Sequence, residues 1–159
     1  MLVRAMIQAD VAQVAALEAT LMQDPWSAGM FHEELHLGSH CRILHDAAGL
    51  LLGYSVARLQ VDEWHLLTLG VSPVCRRQGV ARRLLADLMQ RATLDGCRAI
   101  LLEVRSSNLP ARTLYQDMGF QLLYTRKGYY RLESGCEDAL LLTCPVPSRI
   151  SMPRGDGAP

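Results

Sequence analysis

The segment Arg76-Arg77-Gln78-Gly79-Val80-Ala81 joins an extended run to the clearest helical pattern in the chain. A junction of this kind turns several free backbone N–H groups toward one point, and the helix dipole adds partial positive charge there. Gly79 permits a turn that side-chained residues resist, and Ala81 leaves the backbone open to a bulky anion. Arg76, Arg77, Arg82 and Arg83 bring four guanidinium groups to the same stretch. The combination suits a pyrophosphate, and a surface loop with solvated arginines has the same composition. No GxxxxGKS/T and no GxGxxG opens a strand–helix unit, so ATP hydrolysis and dinucleotide redox chemistry are poorly supported.

A second group of reactive side chains follows. In Leu102-Glu103-Val104-Arg105 the alternation of a strand puts Leu102 and Val104 on one side and Glu103 and Arg105 on the other. A carboxylate so placed either lines a cleft or pairs with Arg105 or another arginine across the sheet. Tyr115 stands seven residues beyond Asn108, two helical turns along the same face, and is either a proton donor or a core tyrosine. Trp26, Glu63, Tyr129 and Tyr130 are aromatic and acidic groups able to clamp a peptide and attract an amine, or to pack at an edge. His32, His36 and His40 are four apart, but Gly38 interrupts them and no carboxylate completes a metal-ligand spacing, so no metal site is expected. The cysteines at 75 and 97 have no paired histidine and read as packing residues rather than nucleophiles.

The elements that must hold these groups are legible from periodicity. Residues 2–7 alternate as a first strand; Asp10 with Gln13 has the form of a capping box, and Val11, Val14, Leu17 and Leu21 lie along a helix. Asp24-Pro25 ends it, and Ser27 caps a second helix that stops at Gly38. Extended runs follow at 41–45, 50–61 and 64–71, the first two joined by a hairpin turn at Asp46 to Gly49. Val80, Leu84, Leu85, Leu88, Met89 and Ala92 repeat at helical spacing, Asp95-Gly96 ends that helix, and 99–104 is a buried strand. Asn108-Leu109-Pro110 opens a short helix through Tyr115, with strands at 121–126 and 138–144 beyond it. This order predicts one α+β domain over 1–145, a mixed and mostly antiparallel sheet flanked by about four helices. Residues 146–159, rich in Pro, Gly and Ser, read as a flexible tail.

Composition narrows the partners. The 159 residues are 50% hydrophobic and carry 16 basic against 16 acidic side chains, a formal charge of zero. A nucleic-acid coat or a binder of anionic membranes normally needs a basic surplus, so neither partner is expected. The apolar run Ala47 to Ala57 is too short to cross a bilayer, and the N-terminus lacks the apolar core of a signal peptide. Five scattered cysteines without a CxxC pair fit a reduced, cytoplasmic protein, read as a monomer. Residues 1–60 hold three arginines against six acids, an acidic bias compatible with a basic partner.

Taken together, Arg76-x-x-Gly79-x-Ala81 after the strand-and-turn Leu66 to Pro73, and Leu102-Glu103-Val104-Arg105 with Asn108, Leu114-Tyr115 and Gly119-Phe120, resemble the GNAT family of acyl-CoA-dependent N-acetyltransferases. Pro25-Trp26-Ser27, Asp62-Glu63, Tyr129-Tyr130 and Glu137-Asp138-Ala139 narrow the resemblance to bacterial members that acetylate the N-terminal α-amine of ribosomal protein S18. The chain departs from them at Thr68, where Asn is usual, and at Gly70, where Ala is usual. The resemblance implies a GNAT-like fold with acetyl-CoA lying in a splayed opening between the strand ending near Val71 and the strand around Leu102. Its pyrophosphate would meet the amides of Gln78, Gly79, Val80 and Ala81 with Arg76 and Arg77. Its pantetheine would pair with Leu69 and Val71, and Asn108 would contact the cosubstrate arm. It further implies Glu103 as general base, directly or through water, Tyr115 as general acid to the leaving thiolate, and an oxyanion donor among the N–H groups of Leu69 to Val71. Trp26, Glu63, Tyr129 and Tyr130 would receive the acceptor, a protein N-terminus such as that of S18. The same fold also serves small-molecule amines, and a catalytically silent acyl-CoA-binding module is the non-enzymatic alternative. An α-amine, with pKa near 8, is easier to neutralise than lysine near 10.4 by about 3 kcal/mol at pH 7, which suits a modest carboxylate base.

Overall fold

The computed structural model describes residues 1–147. Seven strands, β1 (Leu2–Ala5), β2 (His40–His45), β3 (Leu51–Gln60), β4 (Glu63–Val71), β5 (Ala99–Arg105), β6 (Gln121–Leu132) and β7 (Gly135–Pro145), form one sheet. Their spatial order is β1-β2-β3-β4-β5-β7-β6. Neighbours are antiparallel except β4 and β5, which run parallel. Four helices complete the chain: α1 (Val11–Leu21), α2 (Ala28–His36), α3 (Val80–Leu94) and α4 (Leu109–Asp117). The mixed, mostly antiparallel sheet with four flanking helices is the expected α+β architecture.

The two faces of the sheet carry separate cores. Val11, Val14 and Phe31 from α1 and α2 pack with Cys41, Ile43, Tyr54 and Val56 on one face. On the other, Leu85, Leu88 and Ala92 of α3 and Tyr115 of α4 pack with Trp64, Leu66, Ile100, Leu102 and Val104. Helical spacing on α3 and alternation on β5 place these residues without any long-range information.

One irregularity decides where the sheet opens. Val56 faces Thr68 across the β3–β4 ladder, but Ala57 faces Leu66, so Leu67 is an extra residue. Trp64 and Leu66 before the bulge belong to the α3 and α4 side. After it Thr68 turns to α1, where its hydroxyl donates to Glu18, while Leu69 and Val71 pack with Val80 and Leu84 of α3. A bulge bends and twists the strand that bears it. The parallel ladder with β5 accordingly ends at Leu66 opposite Leu102, whereas β5 stays paired with β7 as far as Arg105. Beyond Leu66 and Leu102 the two strands part, leaving a wedge between Leu67–Val71 and 103–105.

Gly70 belongs to the same design. It faces Tyr54 across the ladder, and a Cβ there would fall inside the Tyr54 ring and hydroxyl. The absent side chain lets a fully buried tyrosine press on the bulged strand.

Two expectations need correction. Asp10 does not cap α1 through its side chain; its carboxylate accepts from the Ile7 N–H and from Arg4, closing a 3-10 turn over Gln8–Asp10. A local bond to the backbone and a guanidinium partner outcompete the capping box. The last two strands are much longer than the sequence suggests, because polar positions in β6 and β7 hide a hairpin that continues to the turn before Gly135. At the expected domain end the Val146 N–H donates to the Arg98 carbonyl and its side chain packs on the core. Residues 148–159 of the expected tail lie outside the described residues.

Candidate active site

At the start of α3 the backbone turns twice through the left-handed region, at Arg77 (φ 62°) and Gly79 (φ 79°). The first helical bond is donated by Arg83 to Gly79, so the N–H groups of Val80, Ala81 and Arg82 have no partner within the helix. A turn of this kind followed by free amides forms a concave anion receptor. A Cβ on Gly79 would meet nothing within 4 Å, so the concavity is open to a ligand. Arg76, Arg77, Arg82 and Arg83 are exposed around it, Arg82 lying 3.6 Å from Asp117. The Gln78 side chain folds back to donate one N–H to the Val74 carbonyl. Buried Val80, Leu84 and Leu88 seat the helix on the sheet and fix the receptor beside the wedge.

Leu69 and Val71 line the β4 edge of that wedge, half-buried against α3. Glu103 and Tyr115 lie on opposite faces of β5. Leu102 and Val104 point into the core that contains Tyr115, so Glu103 and Arg105 lie on the other face, toward the segment joining α1 and α2. The Glu103 carboxylate accepts from the Tyr130 hydroxyl at 2.9 Å, with Arg126 4.0 Å from its second oxygen. Arg105 is not its partner. That guanidinium stacks 3.9 Å over the Tyr130 ring and lies 3.7 Å from Asp24 and 3.5 Å from Glu137. One of its nitrogens is buried without a hydrogen bond. Burial, followed by the bond to Glu103, holds the Tyr130 phenol well above its ordinary pKa.

Tyr115 is 8% exposed, and burial alone pushes its hydroxyl up to about 12. It packs against Phe120 with ring centroids 5.6 Å apart. Its oxygen has no hydrogen-bond partner among the described residues and is not sealed from solvent. A buried ring carrying an unpartnered, protonated hydroxyl can offer a hydrogen bond to an arriving group. Asn108 uses its carboxamide oxygen to cap α4 through the Ala111 N–H at 3.3 Å, leaving its NH2 as the group available to a ligand.

Of the four residues expected to receive an acceptor, Tyr130 bonds Glu103 directly and Tyr129 stands beside it. Tyr129 and Tyr130 stand edge to face, 5.2 Å apart, on β6. Trp26 precedes α2, half-buried against Phe31 at 5.3 Å, on the segment that Asp24 brings to Arg105. Glu63 is elsewhere. It opens β4 opposite Ala99, pairs with Arg98 at 2.7 Å, and lies four residues, about 13 Å of strand, from the level of Glu103. Its second oxygen lies 3.4 Å from the His65 ring.

Sequence reasoning overlooked a second polar group. Glu18 is 1% exposed on α1, in the same stripe as Val11 and Val14. Its carboxylate accepts from the Trp26 N–H (3.1 Å), the Tyr54 hydroxyl and the Thr68 hydroxyl (3.3 Å). An acid placed where helical spacing demands an apolar residue was the available signal. His40 lies on β2, not in line with His32 and His36, and its ring bonds Asp87 at 2.7 Å. Among the described residues no group of three His, Cys, Asp or Glu converges to hold a metal, and no helix is long and apolar enough to cross a membrane.

The profile of the acetyltransferase (GNAT) family matches residues 11–120. The N-alpha-acetyltransferase RimI of Mycobacterium tuberculosis is 35% identical over 136 residues, covering 80% of this chain and 83% of the relative. The ribosomal protein bS18-alanine N-acetyltransferase of Escherichia coli K12 is 34% identical over 98 residues, 62% of this chain and 66% of that protein. The crystal structure of the ribosomal-protein-S18-alanine N-acetyltransferase from Escherichia coli superposes with a TM-score of 0.86 at 25% identity, over 99% of this chain and 98% of that one.

Proposed function

Because this chain belongs to the GNAT acetyltransferase family, we propose that it transfers the acetyl group of acetyl-CoA to the N-terminal α-amine of a protein, with ribosomal protein S18 as the acceptor. The observation that carries the reading is the wedge: the bulge at Leu67 parts β4 from β5 beside an anion receptor, with Glu103 and Tyr115 on opposite faces of β5. The relatives named above, which act on protein N-termini by name, support the choice of acceptor.

In this reading the diphosphate of acetyl-CoA sits on the amides of Gly79, Val80 and Ala81, with Arg76 and Arg77 adding charge. The pantetheine runs along the free edge of Leu69 and Val71, where an extended amide chain continues the sheet as a missing strand would. The acceptor amine enters on the α1–α2 side, between Trp26, Tyr129 and Tyr130. Glu103 takes the ammonium proton, directly or through one water, and passes it to solvent; the neutral nitrogen attacks the thioester carbonyl and loses its second proton to the same carboxylate as the C–S bond breaks. A backbone N–H of β4 stabilises the developing oxyanion, and the departing thiolate accepts a hydrogen bond from Tyr115 on the opposite face. Base and acid on separate faces of one strand need not neutralise one another. Holding both substrates at one opening supplies much of the acceleration.

The test is acetyl transfer from acetyl-CoA to a peptide bearing the S18 N-terminus, beside a matched peptide with a blocked terminus and a free lysine. Product on the first alone supports the reading. Equal turnover rejects α-amine selectivity, preference for a polyamine favours a small-molecule acceptor, and binding of acetyl-CoA without product on any amine marks a silent binding module.

A further inference from the structure

Glu18 is a buried acid that the transfer chemistry above does not use. Its surroundings are Phe31, Tyr54, Val56 and other apolar side chains of the core between α1, α2 and the sheet. Burying a carboxylate among such groups is costly unless its oxygens are bonded, and here both are. One oxygen holds the Trp26 N–H at 3.1 Å. The other receives two hydroxyls, from Tyr54 on β3 and from Thr68 on β4. No arginine or lysine pairs with it among the described residues. An apolar residue of similar size would fill the space without that cost, so stability alone does not account for an acid here.

What the three donors have in common is location. Trp26 belongs to the segment lying beside Arg105, on the acceptor side of the wedge. Thr68 is the first residue past the bulge, directly before Leu69, and Tyr54 presses on Gly70 between Leu69 and Val71. One carboxylate therefore ties the acceptor-side segment to the strand edge that lies along the other side of the opening.

Resting on the function proposed above, we propose that Glu18 is a positioning residue: it fixes the Trp26 segment against the bulged end of β4 and so sets the distance between acceptor amine and thioester. It touches neither substrate. It acts through the backbone of Trp26 and through Thr68.

Glu18→Gln in the full chain is the test, because the amide keeps the volume and one acceptor oxygen but replaces the other with a donor that faces two hydroxyls. Losing a charged hydrogen bond predicts about a tenfold rise in KM for the S18-type peptide, with the Kd for acetyl-CoA measured by calorimetry changed less than about twofold. Acrylamide quenching of tryptophan fluorescence supplies a second readout without turnover. Trp64 is 4% exposed and Trp26 only half-buried, so the quenching reports mainly on Trp26 and should increase in the variant. Thr68→Val, which removes one donor at constant volume, should raise the peptide KM less and leave quenching near the wild-type value. A folded Glu18→Gln variant with unchanged KM and unchanged quenching overturns the proposal, as does an equal loss of peptide and acetyl-CoA binding. Should the Gln variant fail to fold, an unchanged peptide KM in Thr68→Val overturns it. If the wild-type protein acetylates no peptide, the functional reading fails, and quenching alone still reports whether Glu18 holds Trp26.

Discussion

Replacing Tyr115 by Phe separates the two ways in which a tyrosine can assist a departing thiolate. Burial pushes the Tyr115 hydroxyl up to about 12, whereas a free thiol titrates near 8.5. Full proton transfer from tyrosine to sulfur is then uphill by about 3.5 pKa units, or about 5 kcal/mol. Such a transfer is a poor route, and Tyr115 should act as a hydrogen-bond donor that stays protonated. Loss of one donor aimed at developing charge costs about 3 kcal/mol, so kcat should fall by about a hundredfold while the Kd for acetyl-CoA holds. Because the hydroxyl has no partner among the described residues, the variant should unfold within about 0.5 kcal/mol of the wild type. The pH profile supplies the sign. A donor is active below its pKa and fails as pH rises through it, so a folded pKa near 12 leaves wild-type kcat without an alkaline decline up to pH 10. The assay is steady-state kcat from pH 6 to 10 for both proteins, with urea unfolding alongside. A wild-type decline centred near pH 9 that vanishes in Tyr115→Phe would refute the argument from burial, and an unimpaired kcat in the variant would refute the role itself.

Glu103→Gln keeps an acceptor for the Tyr130 hydroxyl but removes the base. Its kcat at pH 7 should fall by about a hundredfold or more, the deficit narrowing toward pH 9 as the α-amine becomes neutral unaided; a deficit constant across that range would count against base catalysis. Gly70→Ala forces a Cβ into the Tyr54 ring, and overpacking of this kind should cost about 1–3 kcal/mol in urea unfolding; an unchanged midpoint would show that Tyr54 moves freely. His40 has its pKa lowered by burial first and by Arg42 next, against the opposing pull of Asp87. Its folded pKa lies below the unfolded value of 6.5, so the unfolded chain binds more protons just below that pH, and stability should fall as pH drops from about 6.5. Unfolding midpoints at pH 7.5, 6.5 and 5.5 should show that slope, and His40→Gln should flatten it.

Local signals carried far into this molecule. The stripe on α3, the alternation on β5, Ser27 as a cap and Gly79 as a left-handed turn each arise from residues a few positions apart, and each stands where the periodicity puts it. Glu103 and Tyr115 were legible as candidates because a charge in an apolar strand and a tyrosine on an amphipathic helix are visible without a fold. The pairing of Glu63 with Arg98 was not legible, because its neighbour in the sequence, Asp62, says nothing about a guanidinium that arrives from just before the next strand. The 127–137 stretch hid its strands because an edge hairpin exposed on both faces loses the alternation that marks a half-buried one.

By itself the sequence determined which segments become helix and, outside 127–137, which become strand, where the amides of an anion receptor gather, and which family's pattern the chain follows. Only the tertiary structure decided that Leu67 is an extra residue, that β4 leaves β5 there, that Glu103 bonds Tyr130 rather than Arg105, and that Glu18 ties Trp26 to Thr68. The reason is range. Periodicity and capping are set within a turn or two of chain, whereas a bulge is defined by the register of one strand against another, and the partners of a buried carboxylate come from segments tens of residues away.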